Sequence, residues 1–354
     1  MINWMRLKDI KKFEIELSSH CNARCPLCVR QYLGTDKERV GLEKGHLGLD
    51  QIKKLIKQLP RPGEVTFYFA GVSGDPLMNP EFDKILDYCC THLKKVQIDT
   101  NGSLRSKTFW RTLGAISKKH GKKKGAITFS IDGLEDTNHL YRIRTNFNKI
   151  MENASAYIKS GGIAEWKYII FKHNQHQVKD ARRLAKQMGF DTFISTPSTR
   201  HYDPDWEKKV QDLIPTTTKI VKHKSGLQPV KTDTTPYRPS LKEVRKITKV
   251  IKCKVLEKQM MYVSHTFDLF PCCYIHSWQV HEKTSGVLSN MYDEMFTGWD
   301  NSLNKRPIGD IIQDKWFSDL IDKWGDLGPG VCVENCNQMR RWDMKWTNKD
   351  LKDD

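Results

Sequence analysis

The sequence has no run of about 18 apolar residues, which excludes a helical membrane span of ordinary length. Its first residues, Met1-Ile2-Asn3-Trp4-Met5-Arg6, lack the apolar core of a secretory signal, so the expected compartment is the cytoplasm, with no membrane partner. There is no internal repeat, which argues against a solenoid or a propeller. Acidic residues are the minority charge, 42 against 59 Lys and Arg, and the net charge is +17. Part of that excess sits in Lys118, Lys119, Lys122, Lys123 and Lys124. No known nucleic-acid motif accompanies it, so a solvated loop is preferred to a polyanion footprint.

What is present is a globular composition, 38% hydrophobic and 10% aromatic over 354 residues, long enough for one large core and a smaller module. Residues 13 to 200 alternate short apolar runs with helical periodicity, the pattern of repeated βα units around a parallel sheet. The expected strands are Phe13 to Leu17, Val65 to Ala70, Val96 to Asp99, Ile127 to Ile131, Trp166 to Phe171 and Thr192 to Ser195. Ile52, Leu55, Ile56 and Leu59 make one helical stripe with Asp50 as the expected N-cap. Phe82, Ile85, Leu86, Cys89 and Leu93 make a second, so Cys89 reads as core. Residues 201–250 hold five prolines among Lys and Thr and read as a linker or lid. A second module, 251–354, carries five of the ten cysteines and a hairpin-like stretch from Met260 to Cys273.

A reducing compartment disfavours disulfides and favours metal or cluster roles for cysteine. Cys21, Cys25 and Cys28 fall in a C-x3-C-x2-C loop directly after the first expected strand. Three thiolates can leave one iron of a cubane open, whereas a closed site needs four ligands. With His20 added, the same loop could instead hold zinc.

The C-x3-C-x2-C loop resembles the defining motif of the radical S-adenosylmethionine (SAM) superfamily. The resemblance implies a partial (β/α)6 TIM-type barrel as the α/β fold of residues 1–200. It implies a [4Fe-4S] cluster on Cys21, Cys25 and Cys28 that chelates S-adenosylmethionine, and reductive cleavage to a 5'-deoxyadenosyl radical that abstracts hydrogen from substrate. Leu27 stands where the family commonly has an aromatic residue, which weakens adenine packing and leaves the cluster unaffected.

Further positions resemble the family's cofactor contacts. Gly71-Val72-Ser73-Gly74-Asp75-Pro76 is similar to a Gly-Gly-Glu-Pro turn, with Gly74 and Asp75 toward the ammonium of the cofactor. Thr100-Asn101-Gly102 matches a Thr-Asn-Gly turn near its ribose or methionine part. Ser130 and Arg142 match a ribose contact and a carboxylate contact, and Asn174 a contact to adenine or substrate. In the second module Cys253, Cys272, Cys332 and Cys336, with Cys273 as a spare or substitute ligand, resemble a short SPASM domain of the Twitch type. That implies an auxiliary [4Fe-4S] cluster, with zinc as the alternative. Phe267 stands where the hairpin glycine is expected, and His265 and His276 beside the hairpin read as structural or surface residues.

The resemblance implies a peptide or protein substrate and a reductant such as flavodoxin or ferredoxin. RNA, a nucleotide or another small molecule is the second substrate class. A non-enzymatic iron–sulfur or zinc protein that binds nucleic acid is the third reading.

Overall fold

The computed structural model describes residues 4–32, 35–121, 124–197, 253–285, 296–322, 332, 336 and 344–347. The expected linker at 201–250, with Lys122 and Lys123, lies outside these residues. Six strands follow in order: β1 Lys12–Ile15, β2 Thr66–Phe69, β3 Lys95–Thr100, β4 Gly125–Ser130, β5 Ala164–Ile170 and β6 Thr192–Pro197. Neighbouring strands all pair in parallel. Between them lie α1 Leu49–Lys57, α2 Phe82–His92, α3 Lys107–His120, α4 Asn138–Tyr141, α5 Phe147–Lys159 and α6 Val178–Met188. This is the expected α/β architecture of a partial barrel, with strand positions within about two residues of those read from the sequence.

The same sheet continues into the C-terminal part. Strand β7 (Met260–Val263) pairs in parallel with β1, placing Met261 opposite Phe13. Strand β8 (Leu269–Phe270) returns antiparallel to β7, and β9 (Met344–Thr347) lies antiparallel to β6. The order is β8-β7-β1-β2-β3-β4-β5-β6-β9. Helices α7 (Lys254–Glu257), α8 (Cys273–Ser285), α9 (Ile308–Ile311) and α10 (Lys315–Asp322) flank it. Among the described residues no helix is long and apolar enough to cross a membrane.

A parallel sheet covered on both faces usually reads as unbroken apolar runs. These strands alternate instead. Phe13, Ile15, Phe67, Phe69, Val96, Ile98, Ile127, Phe129 and Trp166 are fully buried and join one core with Ile52, Leu55, Phe82, Ile85 and Leu113 of the helices. Successive side chains of a strand point to opposite faces, so the residues between them line the other, concave face. That face is polar: the Lys12 ammonium donates to Gln97 at 3.1 Å and sits over the Tyr68 ring, and Tyr68 OH donates to Asp99 at 2.7 Å. The alternation in the sequence thus encodes a lumen fitted for a polar occupant.

Helix α1 begins two residues before the expected start, with Gly48 rather than Asp50 as its cap. Gln51 Oε1 accepts the Gly48 N–H at 2.9 Å and Glu81 Oε2 accepts the Leu49 N–H at 3.0 Å, so the first amides are satisfied without Asp50. Asp50 stands in the first turn, where a negative charge suits the helix dipole.

Phe267, where a hairpin glycine was expected, has φ of 65°, the left-handed conformation that glycine adopts freely. Its ring is fully buried. Left-handed backbone costs a non-glycine residue about 1 to 2 kcal/mol, whereas deleting a buried phenyl group costs about 3 to 5 kcal/mol. Burial wins, and the turn keeps a bulky residue in a glycine's conformation. Phe267→Gly is therefore expected to lower unfolding stability by about 2 kcal/mol, despite relieving the backbone, as read from a denaturant midpoint at unchanged slope.

Candidate active site at the open end of the barrel

The loop after β1 is shaped by consecutive turns: the Cys28 N–H donates to the Cys25 carbonyl at 3.0 Å and the Gln31 N–H to the Cys28 carbonyl at 2.9 Å. Cys25 is buried and Cys21 and Cys28 are half-buried. The thiols lie close enough that Cys25 and Cys28 oppose ionisation of Cys21, and Cys28 that of Cys25. Ala23, Leu27, Tyr141 and Phe171 form an apolar shell around them, and the Tyr141 and Phe171 rings lie 4.2 Å apart. Burial pushes the Cys25 thiol up to about 11, and Cys21 is pushed up by the same cause. Two N–H groups approach the sulfurs: Asn101 Nδ2 is 3.9 Å from Cys21 Sγ and Arg142 Nη1 is 3.8 Å from Cys25 Sγ. Thiols brought together out of most of the solvent, with donors aimed at two of the sulfurs, fit a thiolate-bound metal or cluster.

The turns after β2 and β3 are locked to this loop through Asp75, which is buried. Its Oδ1 accepts from the Leu77 N–H and the Thr100 hydroxyl, both at 3.0 Å. Its Oδ2 accepts from the Asn101 N–H at 2.8 Å and Asn101 Nδ2 at 2.7 Å. Asn101 Nδ2 also donates to Asn22 Oδ1 at 2.8 Å, between Cys21 and Cys25 in sequence. Gly74 is required by close approach: a Cβ there would run into the Ser18 carbonyl, between β1 and the cysteine loop. Arg30, which sequence reasoning passed over, completes the junction. Its Nη1 donates to the carbonyls of Ser19 at 2.8 Å and Ser73 at 2.6 Å, and its Nη2 meets Glu38 at 3.1 Å.

On the far side, Arg142 is held by a partner that the sequence did not single out. Arg142 Nε donates to Asp132 Oδ2 at 2.6 Å, and Asp132 is fully buried. The pair is internal, and the guanidinium faces Cys25. A guanidinium carries five N–H donors, so these contacts leave donors over. Asn174 is fully buried too, but its amide bonds the Asp132 and Ile169 carbonyls, each at 2.9 Å, and its Oδ1 accepts the Phe171 N–H at 2.7 Å. It ties the ends of β4 and β5 together. Ser130 is half-buried at the end of β4, in register with Lys167 on the lumen face.

The second cysteine group is partly assembled. Cys253 and Cys336 are hydrogen-bonded, and Cys272 lies within electrostatic range of Cys336. Cys332 is buried in the same core. Burial pushes Cys272 up to about 12. Cys273 has a different setting: its thiol bonds Glu14 and lies near Tyr68 and Tyr262, on the lumen side of β1. Burial there pushes the Glu14 carboxyl up to about 7, against the Cys273 bond and Lys12, which lower it. His265 and His276 are buried, not on the surface, and both stand against Glu16, the residue directly after β1.

The chain matches the Radical SAM superfamily over residues 15–197, just over half its length, and belongs to it. It is therefore an enzyme of the class that works with a [4Fe-4S] cluster and S-adenosylmethionine. It is 27% identical over 180 residues to the antilisterial bacteriocin subtilosin biosynthesis protein AlbA of Bacillus subtilis (strain 168), covering 50% of this chain and 37% of that one. Over 164 residues it is 27% identical to an S-adenosylmethionine-dependent nucleotide dehydratase of Flammeovirga pacifica, covering 41% of this chain and 55% of the relative. The matches thus span about a third to a half of these relatives' own lengths. In fold it resembles Streptococcus suis SuiB bound to its precursor peptide SuiA, with a TM-score of 0.53 at 13% identity, over 88% of this chain and 65% of that one.

Because Asp75 meets only donors, an amide in its place would turn an NH2 group toward the Asn101 N–H or the Thr100 hydroxyl. Asp75→Asn is expected to cost about 2 kcal/mol of unfolding stability, the scale for a buried polar group left without its partner. Denaturant unfolding measures it, and an unchanged midpoint would contradict the clamp.

Proposed function

We propose that Cys21, Cys25 and Cys28 hold the [4Fe-4S] cluster and that the chain modifies a peptide or protein. When bound, the cluster and S-adenosylmethionine supply the chemistry, reductive cleavage to a 5'-deoxyadenosyl radical that removes a hydrogen atom from the substrate. The observation that carries this reading is the convergence of three thiols, buried at Cys25 and half-buried at Cys21 and Cys28, with N–H donors of Asn101 and Arg142 on the sulfurs of Cys21 and Cys25. In the same reading the turn at Gly74 and Asp75 offers backbone carbonyls to an ammonium, while Asp75 keeps that turn and Asn101 in register. Arg142, oriented by Asp132, offers its remaining N–H groups to the cofactor's carboxylate, and Ser130 offers a hydroxyl at the end of β4. Tyr141, Phe171 and Leu27 keep water from the sulfurs.

Residues 1–200 then act as the catalytic core and 251–354 as an auxiliary cluster unit, with 201–250 between them. Cys253, Cys272, Cys332 and Cys336 take an auxiliary [4Fe-4S] cluster that passes electrons, since four protein ligands leave no iron open to substrate. Flavodoxin or ferredoxin is the reductant, and the cytoplasm, which keeps these thiols reduced, is the compartment. The peptide reading draws on the bacteriocin biosynthesis relative and the likeness to SuiB. A nucleotide or RNA substrate is the second reading, favoured by the nucleotide dehydratase relative and the +17 charge. RNA binding that does not weaken with salt, or no binding at all, would remove the RNA form of it.

Anaerobic reconstitution with dithionite and S-adenosylmethionine tests the first part. The wild-type chain is expected to release 5'-deoxyadenosine and Cys25→Ala to release none; equal release from both sinks the assignment. Iron content separates the second group. Cys272→Ala is expected to lose about one cluster's iron, whereas Cys273→Ala keeps the wild-type content, because its thiol is engaged by Glu14.

A further inference from the structure

Glu16, His265 and His276 meet in the interior, and neither cysteine group uses them. The carboxylate stands one residue past β1, His265 follows β7, and His276 lies in the first turn of α8. All three are buried, Glu16 completely. One donor atom from each, the carboxylate oxygen and one nitrogen of each ring, lies within 4.8 Å of the others. Glu16 Oε2 is 3.1 Å from His265 Nδ1 and 3.5 Å from His276 Nε2.

A simple ion-pair account leaves His276 unexplained. Glu16 Oε2 already receives the Tyr262 hydroxyl at 3.0 Å and faces His265 Nδ1, and Glu16 Oε1 accepts the Ser73 N–H. His276 Nε2 stands at ion-pair range from that carboxylate, while its Nδ1, like His265 Nε2, is buried without a hydrogen-bond partner. An imidazole kept from water without a partner costs about 1 to 3 kcal/mol. A cation among the three donor atoms gives the ring nitrogen of each histidine that faces Glu16 a full partner. Around a tetrahedral ion with bonds of about 2.1 Å, neighbouring ligand atoms stand about 3.4 Å apart, which the 3.1 and 3.5 Å separations bracket.

We propose that Glu16, His265 and His276 form a mononuclear zinc site distinct from both cysteine groups. Two imidazoles and one carboxylate are a zinc donor set, and three protein ligands leave the fourth position for water or an oxygen of a substrate. Tyr262 and the Ser73 amide orient the carboxylate, as outer partners of metal ligands do. Because Ser73 belongs to the turn carrying Gly74 and Asp75, the ion couples that turn to the C-terminal part of the chain. It also bridges residues 249 positions apart in the sequence. The charge fits: Arg30, which bonds the Ser73 carbonyl, is paired with Glu38, and Glu16 supplies the ion with a carboxylate.

Metal analysis and zinc-edge X-ray absorption on the anaerobically purified, cluster-loaded full chain, supplied with one equivalent of zinc, test this. The expected result is one zinc per chain with only nitrogen and oxygen in its first shell. Glu16→Gln and His276→Gln are expected to lose that zinc while iron content stays at the wild-type value. Sulfur in the zinc shell would assign the ion to a cysteine group and overturn the proposal, and so would a wild-type chain that retains no zinc. The absorption spectrum of the wild-type chain decides the matter even where a variant fails to fold.

Discussion

A carboxylate removed from water must be answered by donors, and Asp75 is answered entirely by the two loops it joins. Leu77 donates from its own turn, and Thr100 and Asn101 donate from the turn after β3. Asn101 then reaches Asn22 and Cys21, so one buried charge fixes the loops after β1, β2 and β3 relative to one another. The rest of the site depends on this. Without it, Asn101 would be held to the cysteine loop by its bond to Asn22 alone, with no tie back to the turn after β2.

The opposite wall repeats the device with a true ion pair. Asp132 receives Arg142 and the Ile169 N–H, and its carbonyl receives Asn174. A buried pair of this kind adds little net stability, because desolvating both partners offsets their attraction. Its effect is geometric: the guanidinium is held against Cys25 with donors to spare. Two carboxylates thus position an amide and a guanidinium on opposite sides of three thiols. The apolar shell of Leu27, Tyr141 and Phe171 keeps competing water out, which strengthens both contacts.

Much of this was legible in the sequence because it is local. Strand alternation placed all six barrel strands, and C-x3-C-x2-C placed the cysteine loop. Long-range partners were not legible. Nothing in the spacing of Glu16, His265 and His276 joins residues 249 apart, and only the pairing of β7 with β1 brings them together. Cys272 and Cys273 are indistinguishable as neighbours in sequence. Their different settings follow from the start of α8, which turns one thiol toward Cys336 and the other toward Glu14. Asp132 and Arg30 could have been flagged, since each stands beside a motif residue, but a lone charge next to a motif reads equally well as surface.

Part of one basic run is spent locally. Lys118 and Lys119 close α3, where positive charge suits the helix dipole. Lys119 meets Asp87 at 3.1 Å, His120 bonds the same carboxylate at 2.6 Å, and Lys124 donates to the Cys90 carbonyl at 3.1 Å. A polyanion footprint needs lysines whose ammonium groups are presented together and unspent. Among the described residues of this run, Lys119 and Lys124 are already committed to neighbours in the fold, joining α3 and β4 to α2. The lumen, by contrast, sets Lys12 and Lys167 beside Glu14 and Asp99, mixed in sign and partly mutually paired. A surface of mixed charge selects by matching individual polar groups of a ligand rather than by attracting one sign.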